Sequence, residues 1–167
     1  MNLKDTTLAG VVGTTAFTAF SYLAADIFNK KFKEPELLGT MIDRVTPAFD
    51  KKESQFSGWM LHYITGIGFA AACQYILEQT DTKPNIQKGV VAGLLSALPG
   101  SLMWHTAFKI HPAPPLKESL AYYTQLTIGH AIFGAVSFAM LRYLKNIKQQ
   151  RGLQPQLEAS GNAETVG

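Results

Sequence analysis

The sequence predicts an all-α integral membrane protein: a bundle of four antiparallel transmembrane helices with a short amphipathic surface helix in the first loop. Three observations carry this. Apolar residues gather in four blocks, at about 8–28, 56–77, 89–108 and 120–144, each close to the ~20 residues a helix needs to cross a hydrocarbon core. Charged residues make up only 16% of the chain, below the usual ~25%, and almost all fall between the blocks or in the tail. Aromatic residues mark the block ends. Tyr22 closes the first block, Trp59 and Tyr63 open the second, Trp104 closes the third, and Tyr122 and Tyr123 open the fourth. In helices of alternating direction these share one interface, as an aromatic belt does, with Tyr75 and Tyr143 at the other. The mean hydropathy of +0.05 looks like that of a soluble chain because it averages apolar blocks with polar loops. A soluble four-helix bundle, the competing architecture, gives no reason for the belt.

The 167 residues fit a single domain: a transmembrane part over 1–145 and a polar tail over 146–167. The net charge of +3 comes from lysines and arginines flanking the blocks, where they act as topology signals. No basic stripe interleaved with aromatics appears, so nucleic acid is not an expected partner. Cys73, the single cysteine, cannot form an intramolecular disulfide.

The first block carries Thr14, Thr15, Thr18 and Ser21, whose hydroxyls can bond back to the preceding turn. A cleaved signal peptide is the alternative, but the block is long and Leu23-Ala24-Ala25-Asp26 is a poor cleavage site. In the loop that follows, Pro35 suits a first helical turn. Leu37, Leu38, Met41, Ile42 and Val45 then recur at helical spacing, with Glu36, Asp43 and Arg44 elsewhere on the wheel, until Pro47 ends the pattern. This helix lies either on the membrane surface or over the end of the bundle. The second block presents Gly58, His62, Thr65, Gly66, Phe69 and Cys73 on one stripe. A short connector follows, which makes the second and third spans expected neighbours.

The third block has Gly89, Gly93, Ser96 and Gly100 on one helical face, opening with a small-xxx-small signature. It reads as the central helix of the bundle, kinked at Pro99. Pro112-Ala113-Pro114-Pro115 then stiffens the loop. The fourth block carries Tyr123, Thr127, His130, Gly134 and Ser137 as its small and polar stripe. The tail is polar and expected to be disordered. Basic residues divide seven against eight between the two sides of the alternating topology. The cluster after the fourth block favours cytoplasmic termini.

All four histidines lie toward one end of the bundle. His62, His105 and His130, with Asp26 at the same end of the first span, form a candidate metal set, and His62 and His130 a candidate cofactor pair. No local H-x-x-x-H spacing supports either; the argument is shared depth. The alternative is that these histidines bond headgroups, water or facing helices, with Asp26 snorkelling or paired to Lys30. No nucleophile elbow or other catalytic motif is present. The cofactor, if any, is unknown.

The phrases GWMLHYITGIGFA, WHTAFKIHPAPP and GHAIFG, and the layout of 1–145, resemble uncharacterised small four-span proteins of the bacterial inner membrane. The resemblance implies the fold and that membrane, and it transfers no activity and no site residue. Three function classes stay open. The first is a non-enzymatic structural or accessory membrane protein, which leans away from an enzyme. The others are a metal- or haem-binding redox protein and a small oligomeric transporter or channel. Expected partners are the lipid bilayer and either a second copy, through an outward GxxxG face, or another membrane protein.

Overall fold

The computed structural model describes residues 2–115 and 119–164, with side chains as far as Arg151. Among the described residues the chain forms five helices and no strand: α1 (Leu3–Phe28), α2 (Glu34–Val45), α3 (Lys51–Gln79), α4 (Ile86–Ile110) and α5 (Leu120–Glu164). Four segments are long and apolar enough to cross a membrane: α1, α3, α4 and the Leu120–Arg151 part of α5. The backbone of α5 continues across most of the stretch expected as a tail, whose last three residues, 165–167, lie outside the described ones.

α1, α3 and α4 begin ahead of their apolar blocks because polar caps, not the first apolar residue, set their starts. The Asn2 side chain accepts from the amides of Lys4 and Asp5. Asp50 and Glu53 form a reciprocal capping box at α3, and Asn85 Oδ1 accepts from Lys88 N at 2.9 Å. Each satisfies amides that the first turn leaves unbonded. α1 ends where Asn29 adopts the left-handed conformation, φ 50°, which asparagine tolerates.

α1 and α5 form the centre. The face of α1 toward α3 is small or hydroxylated and meets it in four-residue steps. Thr6 bonds Gln74, Gly10 lies against Ile67 and Ala70, and Thr14 lies against Gly66; Thr18 bonds His62. The face toward α5 is similar: Ser137 Oγ donates to Ala9 O at 3.1 Å, and Phe17 fills the space beside Gly129. The threonine protons go to their own helix, from Thr14 to Gly10 O and from Thr18 to Thr14 O, both at 2.7 Å.

α4 packs along α5. A Cβ at Gly89 would fall 2.4 Å from Gly134 O, one at Gly93 2.1 Å from His130 O, and one at Gly100 2.6 Å from His130 Nε2. Ser96, buried on the same face, donates to its own Gly93 O. The expectation that this helix is central is corrected. Its small residues make one narrow seam with one neighbour, and Leu94, Leu95, Leu98 and Leu102 around the rest are exposed. That seam is occupied within the chain. The expected pairing of the second and third spans is corrected too. α3 and α4 stand apart across an apolar groove of about 590 Å³ with Phe138 of α5 on its wall, because the steps of Thr14 and Gly66 commit α3 to α1.

α2 packs against α3 where two glycines meet: a Cβ at Gly58 would sit 2.3 Å from Gly39 N. Leu37 and Met41 are buried there, and Val45, last in the expected stripe, is exposed. His111 and Arg44 fasten the proline-rich loop to this helix. His111 Nδ1 accepts from Ala113 N, so its Nε2 donates to Met41 O at 3.0 Å. Arg44 donates to Ala113 O at 2.7 Å. His111 is therefore half-buried and bonded through both ring nitrogens. Residues 116–118 of that loop lie outside the described ones.

Substitutions should separate these seams from the outward faces. Gly93→Leu must displace α5 backbone and is expected to cost more than the ~1–3 kcal/mol typical of overpacking, seen as lost folded protein in detergent. Leu95→Phe, at a residue 62% exposed, and Gly68→Ala, where nothing lies within 4 Å of the added Cβ, should both leave the melting curve within about 1 kcal/mol of wild type.

Candidate functional site

Inside the bundle the four long helices leave a cavity of about 80 Å³, enough for several waters or one small polar group. Two imidazoles line it. His130 projects from α5 and is 9% exposed. Its Nδ1 lies 2.8 Å from Leu126 O, one turn back. A carbonyl can only accept, so Nδ1 carries the proton, and in the neutral ring Nε2 keeps its lone pair. That nitrogen faces Gly100, where any side chain would strike it. The edges of Phe17 and Phe69 hold the ring in place, with centroids at 5.3 and 5.8 Å.

His62, half-buried on α3, places Nε2 2.9 Å from Thr18 Oγ1. The Thr18 proton is committed to Thr14 O, so His62 Nε2 donates, and Nδ1 is the nitrogen left to accept. Phe17 contacts both imidazoles, 5.8 Å from His62 and 5.3 Å from His130. The two histidines thus share one cavity with a phenyl ring against both.

The third chemical group at this cavity comes from the loop helix. Glu34 opens α2, just before Pro35 in the first turn. The Gly39–Gly58 contact draws α2 so close to α3 that Pro35 O lies against Gly58. The start of α2 is tucked inward with it, and Glu34 is 1% exposed. The Ser21 hydroxyl and the Gln125 amide flank the carboxyl and pull its pKa down, but neither carboxyl oxygen has a partner in hydrogen-bond geometry. Ser21 spends its proton on Thr18 O at 3.0 Å. Desolvation dominates, because a buried charge without a partner is costly, and it pushes the Glu34 carboxyl up from 4.5 to about 7. Nearby, the hydroxyl of Tyr122 and both polar atoms of the Gln125 amide are also buried without partners. Native interiors pair nearly all such groups; of these, Glu34 lines the cavity, while Tyr122 and Gln125 lie beyond its wall.

Of the expected candidates, only His62 and His130 meet. Asp26 lies outside the cavity, largely exposed, 3.3 Å from Lys33 Nζ and not paired with Lys30. His105 is exposed on α4. Among the described residues no three His, Cys, Asp or Glu side chains converge as a metal site. The set Asp26, His62, His105 and His130 is therefore not assembled: equal depth put these residues at one end of the bundle without putting them on facing sides. Glu34, Tyr122 and Gln125 escaped sequence reasoning. The one available signal for Glu34 was its place beside Pro35 at a helix start; the apolar stripe of that helix drew attention to Leu37 and Met41 instead.

The burial of Glu34 has a pH signature. The unfolded carboxyl ionises near 4.5 and the folded one near 7. Between these values the unfolded chain binds fewer protons, so stability falls as pH rises through the window and levels off above it. Glu34→Gln, neutral throughout, should match wild type at pH 4.5 and exceed it at pH 8, by up to about 3 kcal/mol, in thermal unfolding in detergent. A variant less stable than wild type at pH 8 would mean that the carboxylate is ionised and paired.

No protein family, no curated protein and no solved structure matches the chain.

Proposed function

We propose that this chain is a multi-pass protein of the bacterial inner membrane that performs no chemistry itself and acts as an accessory protein, binding a small ligand inside its helix bundle. One observation carries the reading: a fully buried Glu34 carboxyl with neither oxygen bonded, at a cavity where His62 and His130 each keep a nitrogen able to accept. Ionisable groups inside a membrane protein are functional candidates by default, and unpaired ones need an outside partner.

A small transporter is the second reading, favoured by a Glu34 carboxyl that titrates near 7, where proton uptake and release both occur under ordinary conditions. The haem reading fits poorly. The cavity of about 80 Å³ does not admit a porphyrin, and the ring of Phe17 lies against both imidazoles.

The four spans alternate in direction. Partners on α1 and α3 run from Thr6 with Gln74 to Thr18 with His62, rising on one helix as they fall on the other. Asp5, at the start of α1, pairs with Lys148 near the end of the fourth membrane-length segment, consistent with both ends on one side. We assign that side to the cytoplasm, following Lys145, Lys148 and Arg151. α2 lies at the opposite interface.

Two measurements test this. Reporter fusions after Asp81 and after Gly152 should give the same side of the membrane, and a fusion after Lys52 the other. Disagreement between the first two removes the four-span count. Native mass spectrometry of protein purified in mild detergent should show a bound small molecule in wild type that is absent from His130→Ala. Identical ligand-free spectra for the two proteins reject the binding reading.

A further inference from the structure

The interior cavity and the apolar groove between α3 and α4 adjoin each other. Phe69 of α3 borders both, and on α4 the consecutive residues Pro99 and Gly100 border the groove and the cavity respectively. The groove is walled almost entirely by apolar groups, among them Ala72, Ile76, Val91 and Leu95. It opens on the faces of α3 and α4 that carry exposed Ile76, Val91, Leu95 and Leu98. A molecule reaching the cavity by this route comes from the hydrocarbon phase and leaves an apolar tail in the groove.

The cavity specifies the head. No lysine or arginine lines it among the described residues, so nothing there neutralises a phosphate or sulfate. Its walls include the flat rings of Phe17, Phe69 and Trp104, which suit a planar group. Its polar atoms are of both kinds. His130 Nε2, with Nδ1 holding the proton for Leu126 O, accepts. The Glu34 carboxyl, buried and unpartnered at the cavity wall, can donate as well as accept when it is neutral. Gly100, having no side chain, lets His130 Nε2 lie close against α4.

We infer that the bundle binds a quinone-type lipid, its oxygenated ring in the cavity between His130 and Glu34 and its tail in the groove between α3 and α4. In the quinone form a ring oxygen would accept from the Glu34 carboxyl, and in the quinol form a ring hydroxyl would donate to His130 Nε2. This rests on the ligand-binding reading above and adds the class of ligand and its lateral route.

Trp104, against the cavity, reports occupancy, because quinone rings quench indole fluorescence. The chain has two tryptophans, so Trp59→Phe leaves Trp104 alone. In this background a benzoquinone carrying a ten-carbon tail should quench Trp104 saturably. Ala72→Phe, at an exposed residue on the groove wall, should weaken the tailed probe at least tenfold and change quenching by the tail-free ring less than twofold. Trp104→Phe, which leaves Trp59 outside the cavity against Tyr22 and Tyr63, measures quenching by partition into the micelle alone. Quenching of Trp104 no stronger than that of Trp59, or a tailed probe indifferent to Ala72→Phe, overturns the inference. If either occurs while mass spectrometry still shows a ligand lost in His130→Ala, the cavity binds something else and only this inference falls. An empty spectrum with no saturable quench removes both readings.

Discussion

The bundle depends on how thin α1 can be. Between helices in a hydrocarbon phase there is no solvent-driven burial to gain, so association rests on close contact and the bonds it permits. α1 meets this condition on two sides, with Gly10 and Thr14 against α3 and Ala9 and Gly13 against α5. Its hydroxyls return their protons to their own helix and so offer neighbours only a small, satisfied surface. One of these hydroxyls, Thr18, also accepts from His62. The same thinness that closes the bundle therefore orients one of its two interior imidazoles.

Where α1 brings the helices together, glycine and threonine fill the space. Further along, the fillers are Phe17, Phe69 and Trp104 around two histidines, and the helices separate enough to leave a cavity. α2 closes that end by placing Glu34 inside. Its position follows from a glycine crossing on α3, not from any bond made by the carboxyl itself. A charge-bearing group held by the packing of its neighbours, with its own oxygens unpaired, is available to a ligand without first breaking an internal bond.

Much of the fold was legible because long apolar blocks in a chain of low charge leave few alternatives. Four membrane-length helices and Pro35 in the first turn of a loop helix both follow from residue pattern. The arrangement of the helices did not follow. Gly89, Gly93, Ser96 and Gly100 announced a close seam without naming the helix across it, and proximity in sequence wrongly suggested α3 as the partner of α4. For the site, helical spacing placed His62 and His130 on small-residue stripes, and both line the cavity. Depth alone could not separate them from Asp26 and His105, which lie elsewhere on their helices. Glu34 was illegible because its burial arises from a three-helix junction that no local pattern encodes.

The two hydrogen bonds from α2 to the proline-rich loop have a mechanical consequence. His111 holds Met41 O and Arg44 holds Ala113 O, while Pro112, Pro114 and Pro115 deprive the loop of bends that could absorb a displacement. α2 is thereby fastened to the end of α4 through residues 111–115. A displacement of α2 must therefore break these two bonds or carry the end of α4 with it.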